Sequence, residues 1–250
     1  MSPDKKMSKR QARREKRRKR EQQQRVVILG IVIGVAFLLA FALIYPNLKP
    51  IGEIVTITPR AYSQVSGTAL GNPDAKVTVD VWEDFQCPAC RNYGNNTEPL
   101  VIQNYVDTGK VRYVFHQYPF IDDFASTKES DQSANASMCA AEQNHFWEFK
   151  EMLFANWNGE NLGSYADRRL IAFAESMNLD MDAFKACFRE NRYKEKIDQD
   201  YTAGEEMGVS STPSIFVNKQ MVHNAQGANY VPSYEDIAAA IDAALVGSGQ

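Results

Sequence analysis

From Val26 to Tyr45 the chain runs 20 consecutive residues without a charge, and nothing else in the sequence restricts its folding so sharply. Wound as a helix at 1.5 Å per residue, such a run covers about the 30 Å of a bilayer core. It is therefore predicted to be a transmembrane helix. The competing reading, a cleaved signal peptide, calls for a shorter apolar region of about 7 to 15 residues ending in a small-x-small site. Ala40-Phe41-Ala42 has that pattern but lies inside the run. The arginine pairs Arg13-Arg14 and Arg17-Arg18 are followed by more charge rather than an apolar residue, which argues against a twin-arginine export signal.

The span also divides the charge. Residues 1–25 carry 12 Lys or Arg against 3 Asp or Glu, a net +9, whereas the remaining 225 residues carry 16 against 28, a net -12. A basic flank on the N-terminal side stays in the cytoplasm, so everything from Pro46 onward is predicted to lie outside the cell membrane. The tail has almost nothing to bury and is expected to be disordered or loosely helical at a surface. The acidic body offers no nucleic-acid surface. The predicted organisation is a basic cytoplasmic tail (1–25), a transmembrane helix (26–45), a proline-marked stalk (46–62) and one domain (63–250).

Just ahead of that domain, Glu53 to Thr58 alternates weakly and reads as an edge strand. Gly71-Asn72-Pro73-Asp74 is turn chemistry before the strand Val77 to Trp82. A helix is predicted from about Cys87 to Asp107, closed by Gly109, and a strand from Val111 to His116. Between about 119 and 208 the apolar residues recur at helical spacing, as in Phe146, Phe149, Leu153 and Trp157. These stripes are read as packing. After Gly208 come the strand Pro213 to Val217, a turn at Asn218-Lys219, a hairpin partner over Met221 to Asn224, and a last helix capped at Ser233 with Asp236. The fold class is α/β: a mixed sheet flanked by helices, with a helical insertion at about 119–208 and one N-terminal transmembrane helix.

Cys87-Pro88-Ala89-Cys90 sits where a strand gives way to a helix. Unpaired N–H groups and the positive end of the macrodipole favour a thiolate at Cys87, and Pro88 is at ease in a first helical turn. Three residues on, Cys90 returns to the same face one turn deeper. Cys87 is thus the exposed attacker and Cys90 the buried resolving thiol.

The segment Trp82-Glu83-Asp84-Phe85-Gln86-Cys87-Pro88-Ala89-Cys90 resembles the active site of the DsbA-like branch of the thioredoxin superfamily, particularly its membrane-anchored members. Val209-Ser210-Ser211-Thr212-Pro213-Ser214-Ile215-Phe216-Val217 is similar to that family's loop with a cis proline lying against the disulfide. The resemblance covers about Thr68 to Leu245. It implies a thioredoxin-like fold, thiol-disulfide exchange with protein substrates, catalytic Cys87 and Cys90, and Thr212-Pro213 shaping the peptide groove. It also implies a quinone-linked membrane thiol oxidase as reoxidising partner. This sequence departs from the pattern at Val81, where many thioredoxin-like proteins have a buried acid. Glu83 shares the face of Val81 and is the candidate proton acceptor, the alternative being a solvated strand-end carboxylate. The dipeptide Pro88-Ala89 also lacks the histidine of strong oxidants, which should soften oxidising power.

Cys139 and Cys187 fall on separate helices of the insertion. Outside the membrane, two leftover cysteines are expected to form a structural disulfide, the alternative being two buried thiols packed as small apolar groups. His116, His145 and His223 have no metal-like spacing, so no metal is expected, and no phosphate-binding loop points to a cofactor. The expected function is an extracytoplasmic oxidoreductase introducing disulfides into exported proteins with free cysteines. Its rivals are a membrane-anchored reductase or isomerase and a peptide-binding holdase with a structural disulfide.

Overall fold

A computed structural model describes residues 9–48, 50–227 and 231–249. Residues 1–8 of the basic tail and residue 49 of the expected stalk lie outside the described residues. The chain divides into two units, Met1–Gly52 and Glu53–Gln250. In the first, the helix α1 runs over Lys9–Leu48, so the basic segment from Lys9 is helical and continuous with the apolar run. Its stretch Arg13–Tyr45 is, among the described residues, the one helix long and apolar enough to cross a membrane.

The second unit is built on a five-stranded sheet. After the short strand β1 (Ala69–Leu70), β2 spans Val77–Glu83. The chain then enters α2 (Pro88–Asn96) and α3 (Glu98–Val101), which runs into a π turn over Ile102–Val106, before β3 (Val111–Gln117). A 3-10 turn at Phe120–Phe124 leads to five helices: α4 (Glu129–Ala141), α5 (Phe146–Ala155), α6 (Asp167–Ser176), α7 (Met181–Arg189) and α8 (Lys194–Glu206). The hairpin β4 (Ser214–Val217) and β5 (Gln220–Met221) and the helix α9 (Tyr234–Gly247) complete it. The strand order is β1-β3-β2-β4-β5, with β2 and β3 parallel and the other neighbours antiparallel.

The register puts Val77, Val79 and Val81 beside Val111, Tyr113 and Phe115 on one side and Ile215 and Val217 on the other. Because side chains alternate along a strand, all of these point to one face. They form the main core with Phe146, Phe149 and Leu153 of α5 and with Ile237, Ile241 and Leu245 of α9. The opposite face carries Trp82 and Phe216, covered with Tyr118 and Val209 in a smaller cluster. There α8 comes so close that a Cβ at Gly204 would lie 2.9 Å from the Trp82 ring. Asn218 and Lys219 both have positive φ, 47° and 66°, the conformation of a tight hairpin turn.

Three expectations need correcting. Glu53–Thr58 is not a strand; the edge is β1, and Val55 instead exchanges hydrogen bonds of 2.8 and 2.9 Å with the Asn156 side chain. Together with Tyr62, whose hydroxyl donates to Glu151 at 2.7 Å, this segment packs on the domain, and the second unit begins at Glu53, inside the range 46–62 expected as a stalk. The helix expected from Cys87 to Asp107 is broken after Asn96. Pro99 has no N–H to donate and crowds the carbonyl one turn back, so a continuous helix cannot pass it.

Candidate active site

The strand-to-helix turn is organised by Asp84. Its side chain accepts the Gln86 N–H at 2.8 Å and its carbonyl accepts the Cys87 N–H at 3.0 Å, an Asx-type turn that ends β2 and aims the chain into α2. Cys87 is the N-cap of α2, with extended backbone and Pro88 in the first turn. Both cysteines are free thiols; Cys87 keeps 6% of its surface and Cys90 none. Opposite them the Thr212-Pro213 peptide bond is cis, and the Cys87 thiol donates to the Thr212 carbonyl at 3.4 Å. The Thr212 hydroxyl is buried and makes no hydrogen bond of ordinary geometry. It nevertheless lies near enough to both sulfurs to favour their anions.

These surroundings split the two thiols. A hydrogen bond from Cys90 is the largest influence on Cys87; with Thr212 and the backbone N–H groups of Ala89 and Cys90 it outweighs burial and lowers the Cys87 pKa to about 6. Burial pushes Cys90 well above the ordinary thiol value, and its hydrogen bond to Cys87 adds to that. A thiolate with a good leaving tendency therefore stands above a thiol that holds its proton.

Glu83 is not a solvated strand-end carboxylate. It is fully buried, and Lys150 of α5 donates to its Oε1 at 2.9 Å. The same ammonium bonds Glu98 of α3, which also accepts the Tyr113 hydroxyl at 3.0 Å. Burial raises the Glu83 pKa, Lys150 opposes the rise, and Glu98 and Cys87 add to it. Lys150 is itself held above its ordinary value: burial would lower it, and the two carboxylates more than compensate. Its Nζ also lies 5.0 Å from the Phe115 ring centre.

The loop before Cys87 is held by the helical insertion. Trp157 donates to the Gln86 carbonyl at 2.7 Å and Tyr165 to the Phe85 carbonyl at 3.0 Å. The Gln86 side chain accepts from the Asn161 N–H at 2.7 Å and donates to Ser130 at 2.9 Å. Ser130 in turn donates to Asp84, whose pKa burial raises to about 7. Sequence reasoning missed this set and Glu98, which no pattern announces. Lys150 had a signal: in Phe146 to Ala155 it falls four residues after Phe146 and three before Leu153, on the apolar stripe, where a lysine must find a buried partner.

Cys139 of α4 and Cys187 of α7 are bonded, with S–S 1.99 Å and Cα atoms 5.8 Å apart. Among the described residues no cluster of three or more His, Cys, Asp or Glu could hold a metal ion.

The family described as Thioredoxin matches residues 63–243. The "Probable disulfide bond formation protein D" of Bacillus cereus is 28% identical over 181 residues, 71% of this chain and 78% of that protein. The "Na(+)/H(+) antiporter NhaA 3" of Salinispora tropica is 34% identical over 153 residues, 61% of this chain; the match spans only 22% of the antiporter. Among solved structures, oxidised BdbD from Bacillus subtilis aligns with a TM-score of 0.62 and 24% identity, covering 76% of this chain and all (100%) of that one. With the dithiol at the start of α2, the cis proline facing it and the helical insertion between them, the chain belongs to the thioredoxin family and is a DsbA-like thiol-disulfide oxidoreductase.

Proposed function

We propose that this protein is an extracytoplasmic oxidant that transfers its Cys87-Cys90 disulfide to exported proteins. The observation that carries this is the split between the two thiols: Cys87 is favoured as a thiolate and Cys90 as a thiol. A substrate thiolate attacks Cys87 Sγ of the oxidised enzyme. The Cys87-Cys90 bond breaks, a mixed disulfide forms, and Cys90 departs as a thiolate that takes a proton. Glu83, whose burial keeps a proton bound to higher pH, supplies it, and Lys150 holds its carboxyl in place. A second substrate thiolate then attacks the substrate sulfur, Cys87 leaves as a stable thiolate, and two electrons have passed to the enzyme. Stabilising that reduced form raises the potential. A quinone-linked membrane thiol oxidase would return the dithiol to the disulfide. Thr212 and Pro213, against Cys87, would shape the groove for extended substrate and govern its release. The Cys139-Cys187 bond would serve as structure, tying α4 to α7 away from the exchange.

The apolar run in α1, behind a basic flank, supports a membrane anchor that leaves the catalytic domain outside. Protease added to intact cells should then remove the domain and spare an N-terminal tag. Direction is tested by equilibrating the pair with glutathione. A potential above the roughly -270 mV of thioredoxin is expected, short of the -120 mV extreme because the histidine is missing. A value at or below thioredoxin's, with efficient insulin reduction, would replace this reading with a reductase. Protein binding without any exchange would leave the holdase.

A further inference from the structure

One ammonium serves two carboxylates, one of which, Glu83, is near enough to Cys90 to act on its charge. Side chains of Glu83, Lys150 and Glu98 are 0%, 2% and 4% exposed, and Lys150 donates to one oxygen of each acid. Such a cluster carries an excess negative charge in a place where an uncompensated charge is costly, and binding one proton relieves it. Glu98 Oε1 already accepts from Lys150 and from Tyr113, whose hydroxyl is in turn 3.1 Å from that of Tyr93. Glu83 Oε2, by contrast, is buried with no hydrogen-bond partner. A charged buried oxygen without a donor is the costliest in the cluster to keep, so the proton is most favoured on Glu83.

Resting on the reading of Glu83 as proton carrier, we propose that Glu98 is the positioning residue that keeps a transferable proton on Glu83: by drawing on Lys150 it stops the ammonium from fully neutralising the carboxylate beside the cysteines. The groups facing Glu83 are then complete in role: Lys150 from α5, Glu98 from α3, Cys87, Cys90 and Tyr93 around α2, and Tyr113 from β3. The proton passes between Glu83 and Cys90, which are not hydrogen-bonded to each other, by way of a bridging water. Glu98 touches neither sulfur nor substrate and acts through Lys150.

The test is single-turnover oxidation of a peptide dithiol by the full-length protein across pH, in wild type and variants. The rate should fall as pH rises through the ionisation of Glu83. Glu98→Gln keeps an acceptor for Tyr113 and Lys150 but removes the charge, so that limb should move about one pH unit lower. Glu98→Asp, which keeps the charge, should stay near wild type. Glu83→Gln should remove the limb, and adding Glu98→Gln to it should change nothing. If Glu98→Gln does not fold, Tyr113→Phe carries the test, since freeing Glu98 from the hydroxyl should draw Lys150 toward it and move the limb upward. An unmoved limb in the folded variant, with Glu83→Gln still removing it, overturns the role of Glu98 alone. A limb that survives Glu83→Gln overturns the proton-carrier reading itself.

Discussion

Cys139 and Cys187 meet across α4 and α7 from positions 48 apart in the sequence, whereas Cys87 and Cys90 are three positions apart at the start of α2. All four are buried, so burial does not separate the pairs. Their neighbours do. Cys139 and Cys187 are bonded to each other in the buried core that also holds Phe149, Phe184 and Phe188. Around Cys87 stand helix N–H groups, the Thr212 hydroxyl and a second thiol; behind Cys90 stands a shared Glu-Lys-Glu cluster. One pair closes a loop across helices; the other is surrounded by groups that handle charge and protons. The difference teaches that a disulfide's role is set by the polar atoms within reach of its sulfurs.

The largest way to break the contrast is Cys87→Ala, which should reduce thiol oxidation to background, while Cys90→Ala should let mixed disulfides accumulate with exported proteins. Trapping on non-reducing gels reads both. If Cys87→Ala retained turnover, the exchange site would lie elsewhere. Replacing Cys139 and Cys187 together by Ala should instead lower stability by about 4 kcal/mol for a loop of this separation. Urea unfolding measures the loss, and oxidation of a peptide dithiol by the folded variant should be nearly unchanged. Loss of exchange in a variant that is still folded would mean that the two pairs are coupled.

Next in size is a pH effect with a definite sign. The folded Cys87 pKa is lowered to about 6 from an ordinary 9.0, so ionisation stabilises the folded reduced protein. That stabilisation is fully present above the ordinary value and is lost as pH falls through 6. Relative to the oxidised form, the reduced form should therefore gain about 2 kcal/mol or more as pH rises across this window, and change little below it. Parallel unfolding of both forms at several pH values checks it; a gap independent of pH would remove the basis for the oxidant reading.

Much of this was legible because it depends on local pattern. The alternation in Val77 to Trp82, the capping box at Ser233 and Asp236, and the dithiol at a strand-to-helix junction are all short-range signals, and the structure places each as a strand, a capped helix and a helix start. What was not legible depends on distant partners. Glu83 looks like an ordinary strand-end acid until Lys150, on a helix 67 residues later, is folded over it. Val55 looked like a strand because alternation does not say whether a neighbour strand exists; its polar groups found the Asn156 side chain instead. Pro99 was a visible breaker within the run from Cys87 to Asp107, and the propensity of its neighbours concealed it.

The smallest effect is the most local. Thr212 Oγ1 is buried without a hydrogen bond of ordinary geometry, a state that costs free energy unless another state of the site makes use of it. In the thiol form the Cys87 S–H donates to the Thr212 carbonyl. Once the sulfur ionises, that carbonyl faces a negative charge and contributes nothing, and the hydroxyl becomes the group that can donate. Thr212 therefore favours the thiolate through its side chain, after the larger contribution from Cys90 and against burial. Thr212→Val keeps the shape and removes the donor, so the Cys87 pKa should rise from about 6 by less than one unit, a change of about 1 kcal/mol. Iodoacetamide alkylation of the reduced protein across pH measures the shift, with Cys90 protected by burial. The same variant should leave the Cys139-Cys187 bond and the urea midpoint of the oxidised form untouched. A pKa that does not move would place the whole stabilisation in Cys90 and the helix N–H groups, and would leave the orphaned hydroxyl to substrate rather than to sulfur.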